Sequence, residues 1–80
     1  MTVVVLEDAE LADALGRAAP DESVIAVCSS PARLDELRRA TPDPRVSYLI
    51  GDGAVVPLPD AFADVVLGAV DEAELERIRR

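Results

Sequence analysis

Four short apolar runs constrain this chain more than anything else in it: Thr2–Leu6, Ser23–Cys28, Arg45–Ile50 and Asp64–Ala69. Val, Ile, Leu and Ala dominate them, with little of the polar alternation expected of a half-exposed sheet. Such runs suit strands that are covered on both faces, the situation of a parallel sheet with crossover helices. The intervening stretches carry helical spacing. Leu11, Ala14, Leu15 and Ala18 recur at three and four residues, and Leu34 and Leu37 share one face of a second stretch. The element order is β-α-β-α-β-loop-β-α, which predicts one α/β domain over residues 1–80: an open, doubly wound parallel sheet of four strands with flanking helices.

Local signals set the expected ends of these elements. Asp8 is placed to cap the first helix, Asp13 and Arg17 stand four apart as an exposed ion pair would, and Pro20-Asp21 ends the helix. Ser30-Pro31 supplies a cap followed by proline at the first helical position, and that helix runs to about Ala40. Asp71 and Glu74 read as a capping-box pair opening a last helix, with Leu75 and Ile78 inward. Arg77, Arg79 and Arg80 then complement the negative end of its dipole. Pro57-Leu58-Pro59 reads as structural, and Phe62 as a core anchor for the loop between the third and fourth strands.

Composition narrows the function. The chain has 80 residues, one Phe, one Tyr and no Trp, so its core is built from small side chains. Ordering each residue costs about 1.5 kcal/mol, which such a core offsets only narrowly, and extra burial against a partner chain is expected. The net charge is −8 and every cation is Arg. That surface repels phosphate backbones and anionic lipid, so neither nucleic acid nor membrane is an expected partner. The same composition suits a high-salt cytoplasm or a GC-rich genome. No His is present and Cys28 is the single cysteine, which leaves no intramolecular disulfide or cysteine-cluster zinc site. With no leader-like start and no apolar run near 18 residues, a soluble cytoplasmic protein is expected.

Residues 51–67, Gly-Asp-Gly-Ala-Val-Val-Pro-Leu-Pro-Asp-Ala-Phe-Ala-Asp-Val-Val-Leu, are the most distinctive stretch. They resemble the segment joining the third and fourth strands of class I S-adenosylmethionine (SAM)-dependent methyltransferases. Residues 14–31 extend the likeness through the second strand to the Ser-Pro helix start. The resemblance implies a half-Rossmann, methyltransferase-like fold with strand order 3-2-1-4. It also implies that Asp52 would contact the adenine of a SAM-like cofactor. Two other cofactor elements of the family are missing. Glu7-Asp8-Ala9-Glu10 stands where a glycine-rich loop would let the backbone approach SAM, and Cys28 stands where a carboxylate would bind the ribose hydroxyls. SAM is therefore not an expected cofactor. The family's fifth strand has no counterpart in these residues, so the fourth strand becomes an apolar edge.

Three readings of function follow. The first is a degenerate, non-catalytic methyltransferase-like module that associates with a second copy or another protein through its fourth strand, with Val65, Val66 and Leu67 as the interface. The second is a reduced nucleoside- or SAM-binding site, or a methyltransferase subunit, using Asp52. The third takes Val3-Val-Val-Leu-Glu-Asp8 as the opening of a receiver-like domain with Asp52 as phosphoacceptor, which requires strand order 2-1-3-4. Glu7, Asp8, Asp52 and Asp71 share the carboxyl edge of the expected sheet, where they would either hold a Mg²⁺ or serve as caps and solvated charges. Cys28 is either a reactive thiol near a helix start or a small core residue.

Overall fold

A computed structural model describes residues 2–6 and 10–80. Four strands, β1 (Thr2–Leu6), β2 (Ser23–Cys28), β3 (Val46–Ile50) and β4 (Val65–Leu67), alternate with three helices, α1 (Leu11–Arg17), α2 (Pro31–Ala40) and α3 (Glu72–Ile78). The sheet is parallel throughout, in the order β3-β2-β1-β4. The expected α/β fold and strand order are thus present. The receiver arrangement is not, because β3 lies outside β2 and does not touch β1.

The two faces of the sheet bury different residues. Val3, Val5, Val24 and Ala26 meet Leu11, Ala14 and Leu15 of α1, with Leu37 of α2 and Tyr48 packed alongside. Val4, Leu6, Ile25 and Val27 face the other way and meet Ile78 of α3 together with Val56, Leu58 and Ala63. The β3–β4 connection therefore does on that face what a crossover helix does elsewhere. Phe62 is not its anchor: the ring is 36 % exposed, and the smaller Val56, Leu58 and Ala63 hold the loop down.

Several element ends differ from the sequence expectation, each for a local reason. α1 starts at Leu11 with Glu10 in the cap position and no side-chain cap bond, whereas Asp8 lies outside the described residues. Asp13 and Arg17 are not among the ion pairs of the described residues. Arg45 sits just before β3, where its guanidinium pairs with Asp43 at 2.9 Å and reaches the Ala18 and Ala19 carbonyl oxygens beyond the end of α1. β4 is only three residues long, and Gly68, at φ 104°, turns the chain out of the sheet. Ser30 caps α2 as expected, its hydroxyl accepting from the Arg33 N–H at 3.4 Å.

The capping box on α3 does not form. Asp71 occupies the cap position with no side-chain cap bond, and the Glu74 side chain is used elsewhere. Its carboxylate accepts from the Val56 N–H at 2.8 Å and from Arg77 Nε at 2.8 Å. Arg77 in turn donates to the Leu58 and Val56 carbonyl oxygens, at 2.7 and 2.8 Å, and to Asp60 at 3.0 Å. Arg77 stands in the last turn of α3 as expected, and its guanidinium is also a clamp between α3 and the 56–60 loop. Glu74 is held at about 2, first by the Arg77 guanidinium and then by the Val56 N–H.

Candidate functional site

The carboxyl edge of a parallel sheet is where α/β folds usually bind ligands, and Asp52 lies there, directly after β3. Its Oδ1 accepts from the Ala54 and Val55 N–H groups at 2.9 and 2.8 Å, and its own N–H donates to the Val55 carbonyl at 3.2 Å. The side chain thus builds the turn that carries it. The two flanking glycines have packing reasons of their own. A Cβ on Gly51 would stand 2.6 Å from Pro57 Cδ, and one on Gly53 would stand 2.6 Å from the Ala69 carbonyl oxygen and 3.1 Å from Val70 Cα. The Gly53 carbonyl also accepts from the Asp71 N–H at 2.8 Å, which ties the turn after β3 to the loop after β4. Gly-Asp-Gly is consequently a junction between two strand exits, with the Asp52 carboxylate exposed on top.

Of the other acidic candidates, Asp71 is tied to this turn through its own N–H bond to Gly53. Glu7 and Asp8 lie outside the described residues, and among the described residues no three acidic, Cys or His side chains stand close enough to hold a metal ion. Cys28 ends β2 with 1 % of its surface exposed, paired in register with Ile50, so its thiol belongs to the core.

The fourth strand offers a different kind of site. Its backbone orientation follows from the ladder, in which alternate residues of a parallel strand turn both polar groups the same way. The Val24 N–H donates to the Arg45 carbonyl, so Val24, Ala26 and Cys28 turn toward β3 while Ile25 and Val27 turn toward β1. Carried across the register Val4↔Ile25 and Val4↔Val66, this turns Val65 and Leu67 toward β1 and leaves the Val66 N–H and C=O facing outward. Below Val66 the edge is already covered. The Ala63 N–H donates to the Ile78 carbonyl and the Ala63 carbonyl accepts from the Arg80 N–H, at 2.7 and 2.8 Å, a single parallel bridge between Ala63 and Arg79. The open edge is therefore narrower than the 64–69 run suggested.

Side chains add to that edge. Val65 is 38 % exposed, and Val66 and Leu67 are half-buried. On the α1 face, Val65 and Leu67 join Val3, Ala14 and Ala18 in a groove of about 190 Å³, with Arg17 and Glu22 also in its wall. On this side α1 packs mainly on β1 and β2, and α2 on β2 and β3, while Leu67 joins the margin of the α1 cluster. Residue patterning pointed to Val65, Val66 and Leu67 but missed the groove and the Ala63–Arg79 bridge. The alternation of Val3, Val65 and Leu67 on one face was the available signal for the groove. No family model matches the chain, and no match is found among curated proteins or solved structures.

Proposed function

We propose that this chain is a catalytically silent, methyltransferase-like scaffold that works by protein–protein association along β4. The observation that carries the reading is the outward-facing, unpaired Val66 peptide groups beside the exposed Val65 and its apolar groove. Strand edges of this kind pair with other chains unless they are covered. The strand order 3-2-1-4 supports the scaffold, and the use of Asp52 Oδ1 within its own turn supports a role without SAM.

Light scattering across a concentration series, together with affinity capture, tests the reading. The unsubstituted protein is expected to form a complex, and Val65→Lys, which places a charge on the edge, is expected to lose it. Val66→Pro is the second variant, since it removes an N–H that β1 does not use. A monomer at every concentration that also retains no partner would sink the proposal. A rise in melting temperature with millimolar S-adenosylhomocysteine would instead favour a ligand site at Asp52.

A further inference from the structure

The groove beside β4 is lined by Val3, Ala14, Ala18, Val65 and Leu67, with Arg17 and Glu22 in its wall. Neither charge belongs to an ion pair among the described residues. Glu22 lies just before β2, at the amino end of the sheet. Its charge favours the protonated Arg45 nearby, but that guanidinium is bonded to Asp43. Asp13 and Glu10 precede Arg17 by four and seven positions, so they carry the same side of α1 toward the carboxyl end of the sheet. Both are exposed, and neither is ion-paired among the described residues. Arg79 and Arg80 lie beyond the start of β4, and Arg80 is paired with Asp64 at 3.6 Å. Carboxylates thus outnumber guanidinium groups on the α1 side of this edge, as they do over the chain, whose net charge is −8.

We propose that the β4 edge takes a short extended segment of a cationic partner protein, apolar at its centre and carrying Lys or Arg at its flanks. The inference rests on the association reading above and names its partner. The Val66 N–H and C=O would bond the central residue of the added strand, whose alternate side chains enter the groove. Flanking cations would reach Glu22 at one end and Asp13 and Glu10 at the other, their apolar stems lying along the groove wall. Only one residue of β4 turns its peptide groups outward, so backbone bonding is brief and the groove and the charges must supply the selectivity. A second copy is the poorer occupant, because two chains of net charge −8 repel each other, whereas a cationic segment is drawn in.

The probe is the short end-capped peptide Lys-Lys-Val-Val-Val-Lys-Lys, with a counterpart carrying Glu in place of every Lys. Two-dimensional NMR of the isotope-labelled protein reads both the affinity and the place of binding. The cationic peptide is expected to shift the Val65, Val66 and Leu67 amides together with those of Ala14 and Ala18, and the acidic one to leave them unmoved. Raising the salt from about 50 to about 500 mM should weaken binding about tenfold. Glu22→Gln should weaken it roughly two- to fivefold and Arg17→Gln strengthen it by a similar factor, the range for one exposed charge. V65K should abolish it. Equal binding of the two peptides, or binding of neither, would overturn the inference. So would shifts that spread over the acidic surface and persist in V65K, which would mark attraction by charge alone. Self-association that V65K abolishes, without uptake of the cationic peptide, would overturn the cationic partner and leave the β4 reading standing. If V65K alters neither self-association, peptide binding nor affinity capture, the β4 reading falls as well.

Discussion

Replacing Gly53 by alanine separates a packing role for Gly-Asp-Gly from a ligand-cradling one. The new Cβ would stand 2.6 Å from the Ala69 carbonyl oxygen and 3.1 Å from Val70 Cα, both of them backbone atoms that cannot swing aside. Relief needs the two loops to part by more than half an ångström, roughly the shortfall from ordinary van der Waals contact. Those loops are joined by the Asp71 N–H bond to the Gly53 carbonyl at 2.8 Å, so parting them strains that bond too. Overpacking of this kind costs about 1–3 kcal/mol, and a weakened hydrogen bond adds up to about 1. A domain of this length has about 4–12 kcal/mol in total, so Gly53→Ala is expected to remove a visible fraction. Urea unfolding followed by circular dichroism reads the loss as a lower midpoint at unchanged slope. Gly16 is the internal control, because it lies in α1 with nothing within 4 Å of its Cβ position. Gly16→Ala should raise stability by about 0.5–1 kcal/mol. A Gly53→Ala protein as stable as the unsubstituted one would refute the packing argument and return this glycine to a ligand role.

Other perturbations probe the remaining parts. Ile78 is fully buried and is the only residue of α3 to be so, hence Ile78→Ala should cost about 2–5 kcal/mol in the same titration, against less than about 1 for the half-exposed Ile50→Ala. Because the fold holds Glu74 at about 2 against an ordinary 4.5, the unfolded chain takes up that proton first. Stability is therefore present above pH 4.5 and lost as the pH falls toward about 2; acid titration of Glu74→Gln should show a shallower loss over this window. Asp52→Asn keeps an oxygen for the Ala54 and Val55 N–H groups and should unfold like the unsubstituted protein, whereas Asp52→Ala should lose about 1 kcal/mol by thermal melting.

What was legible in the sequence was whatever depends on period and chain order. The four apolar runs, the inward Leu11, Ala14 and Leu15, and the alternation of strands with helices stand in the structure where patterning put them. What was not legible depends on neighbours far along the chain. Glu74 has the spacing of a capping-box residue, yet Val56, 18 positions earlier, claims its carboxylate. Arg77 has the placement of a dipole partner, yet two loop carbonyls and Asp60 claim its guanidinium. Phe62 is the largest apolar residue of its loop, yet the space beneath is filled by Val56, Leu58, Ala63 and Ile78. Local rules name the groups a residue can bond; they do not rank a near partner against a distant one that satisfies an orphaned carbonyl.

The same distinction bears on the site. Gly-Asp-Gly resembles a cofactor contact, but its two glycines and its carboxylate each have a use inside the fold: a close approach to Pro57, a close approach to Ala69, and a turn held by Oδ1. β4 is the opposite case, since the Val66 peptide groups, the exposed Val65 and the groove beside α1 meet no other described residue that would complete them. By fixing α3 against the 56–60 loop, Arg77 also helps keep Ile78–Arg80 beside Ala63, just before β4 begins.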